Sequence, residues 1–464
     1  MFTARDIVTA VRGEFLSGNP DEILTGVSTD TRKIKSGELF LAIKGEKFDG
    51  HSFILDAVSK GAGGVLVQEG GITNANFKMP DNISFISVSD SVRALGDIGN
   101  FHRSRFNIPV VGITGSNGKT TVKEMTTAIL SKKFNALKNF GTENNNIGVP
   151  MTLMRLASEH AIAVLEMGTN HLGEIRRLSE IARPTTAIIT NIGSSHLEYL
   201  EDTDTVFKAK QEILEYMDKD AKLILNYDDE YLSKIKTNLK ITWFGLNKAA
   251  DFRADKIIIE PEGITFRLNE EWDISLGVLG RHNVYNALAA IACAWDFGIT
   301  IDEIRDALRE FRVPNMRMEV KRFGGIDGIK IINDTYNANP QSMKQAIEAL
   351  RDMATEGRKV LIAGDMLELG TFSSRFHHLV GRQAAESGID LIVAVGKLAE
   401  HISNGAQEAG MSQRKIKLCA VTKDAREKVM SLVKKGDTIL VKGSRAMRME
   451  EIVNDLEIQF KTTT

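Results

Sequence analysis

Residues 110–121 read VVGITGSNGKTT, and the chemistry of this run lies in its last seven positions. Gly115, Ser116, Asn117 and Gly118 make a small, permissive loop, and Lys119, Thr120 and Thr121 follow at once. That set suits a triphosphate. Backbone N–H groups of such a loop, and of the helix N-terminus after it, point at an anion, and the helix dipole favours it. A lysine at this place reaches the terminal phosphates, and the hydroxyl next to it reaches Mg²⁺. The spacing departs from the usual G-x-x-x-x-G-K-[ST]. Counting back from Gly118, the first glycine would fall at Ile113, so the loop is shorter. A plain strand–helix turn with a solvated lysine is the competing account, but two glycines, a lysine and a hydroxyl residue all meet at one junction.

Other groups stand at comparable places. Glu166 follows the apolar run AIAVL at 161–165, and His196 ends NIGSSH after the run TAIIT at 186–190. If both runs are buried strands, these side chains lie just past strand ends, on the edge where open α/β sheets place ligands. The turn Ser28-Thr-Asp30-Thr31-Arg32-Lys33 is rich in hydroxyls, and the Arg32 fork matches phosphate oxygens. Read alone, it is better explained as a solvated polar turn with surface charges.

The elements that must position these groups follow from periodicity. Residues 110–113 read as a buried parallel strand and 119–130 as the helix that opens at Lys119. Before them, strands are expected at 38–43, 64–68 and 83–88, with helices at 3–15 and 53–60, as a small α/β domain over residues 1–105. Residues 106–313 form a central domain with further strands at 222–225 and 241–244, a hairpin over 254–268 split at Pro261, and helices at 283–297 and 301–311. Residues 314–464 alternate cleanly. Strands at 330–332, 360–363, 391–395, 415–418 and 438–441 are separated by helices at 341–351, 375–386, 397–409, 425–433 and 446–456. That pattern is a doubly wound, Rossmann-like parallel sheet. It lacks G-x-G-x-x-G, so no dinucleotide site is assigned to it.

Composition narrows the partners. With 464 residues the chain exceeds one core, so more than one domain is expected. Lys and Arg number 59 against 61 Asp and Glu, for a net charge of -2, which offers no basic field for nucleic acid. The two cysteines, Cys293 and Cys419, form neither a metal motif nor a disulfide framework, which suits a reducing cytoplasm. The N-terminal stretch is charged throughout and is not a signal peptide, and no apolar run is long enough to span a bilayer. A cytoplasmic protein without membrane insertion is expected.

Three classes use a phosphate loop. A GTPase switch needs Asn-Lys-x-Asp, and the nearest match, Asn247-Lys-Ala-Ala-Asp251, is one residue too long. A kinase or motor ATPase is possible, but two flanking domains of this size point to large substrates on both sides of the nucleotide. The third class is ATP-driven ligation through an acyl phosphate. Such a site brings two anions together, so it wants metal ions and lysines.

Here the motifs converge on a known family. GITGSNGKTT, the strand end at Glu166, GSSH ending at His196, KAKQEIL containing Lys210, GRHNVYNALAA and VPNMRME resemble the Mur ligases of peptidoglycan synthesis, in family order along essentially the whole chain. ENNNIGVP, EMGTNHLGEI, NDTYNANP and GDMLELG resemble the branch that joins D-alanyl-D-alanine to UDP-N-acetylmuramoyl-tripeptide. The short phosphate loop is the family's own pattern. The resemblance implies three domains: 1–105 for the UDP-muramoyl-peptide, 106–313 for ATP, and 314–464 for the incoming dipeptide. It also implies roles. Gly115 through Thr121 hold the triphosphate, with Asn283, Arg317 and Asp334 as further nucleotide contacts. Lys119, Glu166, His196 and Lys210 serve catalysis, and Thr120, Glu166, His196 and Lys210 serve Mg²⁺, with Lys210 aligned to a lysine that many members carbamylate. Ser28, Asp30, Thr31, Arg32, Thr142, Asn145 and Asn146 face the UDP-muramoyl-peptide. Tyr336, Asn337 and Asn339 face the dipeptide. ATP and Mg²⁺ are the expected cofactors, and a monomer is expected.

Overall fold

The computed structural model describes residues 2–45, 47–72, 78–141, 143–194, 197–260, 263–324, 328–353 and 355–461. Three main sheets organise them. The central one has nine strands, and Val110–Thr114 lies inside it, parallel to Ile162–Glu166 on one side and Thr186–Ile189 on the other. Successive side chains of a strand point to opposite faces, and here both faces are apolar. Val111, Ile113, Val164 and Ile188 pack into one core, against Met125, Ile129 and the helix His282–Asp296. Val110, Leu165, Ala187 and Ile189 pack into the other, against Leu178 and Ile181 of the helix Glu174–Ala182. Continuous apolar runs are therefore what this sheet requires. Lys222–Asn226 and Lys240–Gly245 extend it in parallel, and the antiparallel strands Phe252–Glu260, Gly263–Leu268 and Trp272–Leu276 complete it. The expected hairpin is present, and Trp272–Leu276 adds a third strand to it.

The N-terminal sheet has five strands, with Gly64–Gln68 between Leu39–Leu41 and Ser84–Val88. The helix expected over 3–15 is shorter. It runs Ala4–Val11 under a Thr3–Asp6 capping box and stops at Arg12, which takes φ 52°. Phe15 then belongs to the strand Glu14–Ser17, antiparallel to Ser84–Val88. The C-terminal sheet has six strands, in order Glu319–Phe323, Ile329–Asp334, Thr438–Lys442, Lys359–Gly364, Leu391–Val395 and Ile416–Cys419. All neighbours are parallel except the edge strand Glu319–Phe323, which the periodicity did not reveal. The helix expected at 446–456 runs Glu450–Lys461 instead, because Arg448 takes φ 52° and interrupts the chain before it. Among the described residues, no helix is long and apolar enough to cross a membrane. Cys293 and Cys419 are both free and buried.

Candidate active site

The strand Val110–Thr114 delivers the loop 115–118 to the carboxyl edge of the central sheet, and the helix Lys119–Leu130 leaves it. The two loop glycines are required for different reasons. Gly115 has φ 142°, and a Cβ there would lie 2.0 Å from Thr190 Oγ1; Gly118 has φ 82°, and its Cβ would lie 2.3 Å from Asn286 Oδ1. Any side chain would be strained in backbone and blocked in space. No side chain caps the helix N-terminus.

The loop differs from the expected cradle in one respect. The Ser116 N–H donates to the Asn191 carbonyl (2.9 Å), and the Asn117 N–H donates to Asn191 Oδ1 (3.0 Å). Asn191 follows the neighbouring strand Thr186–Ile189 and reaches these two amides first. What remains for an anion is the uncapped helix end at Lys119, Thr120 and Thr121, all three of which line a cavity of about 670 Å³.

Lys119 is folded back, donating to the carbonyls of Gly115 (2.8 Å) and Ser116 (3.3 Å). Burial lowers its pKa, opposed by Glu166 and reinforced by Arg317. Thr120 Oγ1 donates to Glu166 Oε2 at 2.7 Å, and Asn144 Nδ2 donates to Glu166 Oε1 at 2.8 Å. Glu166 is held from behind. The buried Asn139 accepts from the Glu166 N–H (2.9 Å) and donates to the Glu166 carbonyl (3.0 Å), while its own carbonyl receives Lys123 Nζ (2.7 Å). Asn139→Ala is expected to destabilise the fold by about 1–3 kcal/mol, because it strands a buried N–H and C=O. Urea unfolding checks this, and an unchanged midpoint would show that the clamp carries no stability.

Lys210 lies near the end of the helix Thr203–Gln211 and is 1% exposed, whereas Lys208, two positions earlier, is exposed. Burial places its pKa well below the usual lysine range; Lys119 adds to this as a like charge, and Glu174 and Glu212 oppose it. Lys210 is therefore not a solvent-facing helix lysine. His196 and Thr142 lie outside the described residues.

The opposite wall of the cavity comes from the C-terminal sheet. The strand Ile329–Asp334 ends at Asp334, whose carboxylate accepts from Lys442 Nζ (2.6 Å) and from the Met318 N–H (3.1 Å). Lys442 also donates to the Asn337 carbonyl (2.9 Å). The Arg317 guanidinium stacks 3.7 Å from the Tyr336 ring centroid, and burial raises the Tyr336 phenol pKa. Asn283 is buried, donating to the Leu279 carbonyl (2.7 Å) and accepting from Asn286 (2.8 Å). Its neighbour His282 is pushed down to about 4 by burial. Asn339 caps the helix Pro340–Asp352 and donates to Asn117 Oδ1 (2.7 Å), while Asn117 Nδ2 donates to Gln341 (2.8 Å). Gly118 through Thr121, Ser116, Asn117, Asn145, Glu166, Asn283, Arg317, Asp334, Tyr336, Asn337 and Asn339 thus share one cavity, which Asn146 and Lys210 do not line.

Ser28, Asp30, Thr31 and Arg32 lie at the end of the strand Val27–Ser28 of the N-terminal sheet and in the turn after it. Asp30 is bound bidentately by Arg32 (both 2.8 Å), and that contact lowers Asp30 to about 2. Ser28 Oγ donates to the Asp30 carbonyl (3.1 Å), and the Thr31 carbonyl accepts from Lys60 (3.1 Å). The Arg32 fork is thus turned onto its own turn. Sequence reasoning passed over Asn139, Asn144, His282, Lys442, Ser444 and Arg445. The last three carried a signal: a Lys-Gly-Ser-Arg loop directly after the strand at 438–441.

A phosphate loop without the Asn-Lys-x-Asp guanine motif, a hydroxyl–carboxylate pair beside it and a second α/β unit across the cavity fit an ATP-driven ligase. The model for the Mur ligase middle domain matches residues 113–294, that for the Mur ligase glutamate ligase domain 316–445, and that for the Mur ligase family catalytic domain 23–103. The chain belongs to the Mur ligase family. It is 37% identical over 456 residues to the UDP-N-acetylmuramoyl-tripeptide–D-alanyl-D-alanine ligase of Bacillus subtilis (strain 168), covering 98% of both chains. The enzyme of that name from Escherichia coli (strain K12) is 38% identical over 445 residues, with 94% of each covered. A crystal structure of MurF from Acinetobacter baumannii matches at TM-score 0.87 and 33% identity over 98% of both chains. The MurF ligase of Thermotoga maritima, solved in complex with ADP, matches at TM-score 0.84 and 27% identity, covering 96% of this chain and 100% of that one.

Proposed function

We propose that this chain joins D-alanyl-D-alanine to UDP-N-acetylmuramoyl-tripeptide at the expense of ATP, in the synthesis of the peptidoglycan precursor. The observation that carries the reading is the shared cavity: the head of the phosphate loop and the loop Asp334–Asn339 of the other unit face one space, so a phosphate donor and an amine meet there. The relatives named above carry the substrate assignment.

The reaction runs in two steps. A carboxylate oxygen at the end of the tripeptide attacks the γ-phosphorus, and ADP leaves. The dipeptide ammonium gives up a proton to solvent, its nitrogen attacks the acyl carbon, and the tetrahedral adduct loses a second proton as it expels phosphate to leave an amide. Gly115 to Thr121 hold the triphosphate, with Lys119 swung out from its loop carbonyls onto the β- and γ-phosphates. Asn283, Arg317 and Asp334 complete the nucleotide site. Thr120 and Glu166 present hydroxyl and carboxylate oxygens 2.7 Å apart, a hard donor set that fits Mg²⁺ together with phosphate oxygens and water. His196, and Lys210 as a carbamate, would add to that set. When bound, Mg²⁺ supplies positive charge between the triphosphate and the incoming carboxylate. Ser28, Asp30, Thr31, Arg32, Thr142, Asn145 and Asn146 serve the UDP-muramoyl-peptide, with Arg32 released from Asp30 to take phosphate oxygens. Tyr336, Asn337 and Asn339 serve the dipeptide. The units are 1–105, 106–313 and 314–464, in that order of substrate. The nucleotide-linked substrates and the free cysteines support a cytoplasmic location.

Steady phosphate release is expected only with ATP, Mg²⁺, the UDP-muramoyl-tripeptide and D-alanyl-D-alanine all present. A coupled phosphate assay with single omissions checks this. Equal turnover on ATP alone would remove the ligase reading.

A further inference from the structure

D-Alanyl-D-alanine arrives as a zwitterion. Its amine must reach the acyl phosphate near Lys119, so its carboxylate extends toward the C-terminal unit, and a cation there is needed to receive it. Three cations of the cavity are already committed. Lys119 faces its own loop carbonyls, Arg317 lies on the Tyr336 ring, and Lys442 is 2% exposed between Asp334 and the Asn337 carbonyl.

Arg445 stands apart from these. It follows the strand Thr438–Lys442, lines the cavity beside Ser444 and Ala446, and keeps 54% of its side chain exposed. Its guanidinium is held at one nitrogen: Nη1 pairs with Glu450 Oε1 at 2.8 Å and lies 3.6 Å from Met316 Sδ. The Met316 carbonyl in turn accepts from the Tyr336 N–H (3.1 Å), so Arg445 and the Tyr336 loop are anchored on the same residue. Ser444 Oγ accepts from the Leu367 N–H (2.8 Å), which holds this loop against a second wall of the cavity. A planar fork, oriented by a carboxylate on one side and open on the other, matches a second carboxylate bidentately.

We infer that Arg445 binds the free carboxylate of the incoming dipeptide and is the residue that restricts the amine substrate to acids. Glu450 is its positioning residue. The inference rests on the ligase reading above and adds a specificity determinant to it.

The test compares D-alanyl-D-alanine with D-alanyl-D-alaninamide, which keeps the amine and lacks the charge. In the wild-type enzyme kcat/KM for the amide is expected to be about 10- to 100-fold lower, the scale of one charge-assisted hydrogen-bonded pair. In Arg445→Ala the acid should fall to the level of the amide and the ratio approach one, with KM for ATP and for the UDP-peptide unchanged. Arg445 is exposed, so the substitution leaves the core intact, and Arg445→Lys serves as the second variant, retaining charge but losing the fork and therefore keeping part of the ratio. A wild-type enzyme that uses acid and amide equally, or an Arg445→Ala enzyme that keeps the wild-type ratio, overturns the inference. A wild-type enzyme that turns over neither compound would instead overturn the ligase reading, so the two failures are distinct.

Discussion

Lys119→Ala is expected to lower kcat by about 10²-fold or more, with the fold intact. That is the scale of losing one preorganised charge at the transferring phosphoryl group. No neighbour replaces it. Arg317 is stacked on Tyr336, and Lys210 is buried with its amine driven toward the neutral form. The side chain is half-buried and, among the described residues, bonded to carbonyls of its own loop, so its removal costs the core little. Phosphate release with all substrates present gives the rate, and circular dichroism reports the fold. Wild-type turnover in a folded Lys119→Ala protein would reduce the loop to a structural turn. Lys119→Arg is not expected to restore the rate, because a planar guanidinium does not occupy the place of a compact ammonium.

The second large effect belongs to Lys210. A lysine amine reacts with CO₂ only when neutral, and burial favours that form by disfavouring the ammonium. Lys210 meets this condition, while the exposed Lys208 does not. Lys210→Ala is expected to lose about 10²-fold or more of activity, on the scale of a missing anionic group at a phosphoryl-transfer site, and Lys208→Ala to keep it. A short carboxylic acid should restore part of the Lys210→Ala rate by occupying the vacated space. Bicarbonate should restore a CO₂-depleted wild-type enzyme. If the acid does not rescue the variant and bicarbonate leaves the wild type unmoved, the carbamate is absent and Lys210 acts through packing alone.

The longer strands with both faces buried were legible in this sequence, whereas the two-residue strand Val27–Ser28 was not. Gly64–Gln68 and Leu391–Val395 fall at the bounds their apolar runs give. The strand Glu14–Ser17 was not, because only alternate residues are partly covered and it borders a helix pattern that continues through it. Arg12 and Arg448 each take a left-handed conformation that favours glycine, and both displaced an expected helix bound. The helix Ser91–Ser104 contains Gly96 and Gly99, which lower its propensity. They are there because Arg177 and Pro150 pack within 3.0 Å of where a Cβ would stand. In the site, Lys119 and Glu166 were legible from the strands that precede them, Asp334 came only with the family resemblance, and all three line the cavity. Residues that act by holding those were not legible, since nothing in the order of amino acids shows that Asn139 clamps Glu166 or that Lys442 reaches across to Asp334.

The side-chain amide of Asn117 belongs to the phosphate loop, yet both its ends are bonded to the facing unit, through Asn339 and Gln341. On the proposed function, nucleotide and dipeptide address one element. Whatever factor a bound nucleotide contributes to the affinity for the dipeptide, the dipeptide must return to the nucleotide, because the coupling is a single free energy shared by two equilibria. Two amide hydrogen bonds then carry that coupling, and titrating each ligand with and without saturating amounts of the other would read its size.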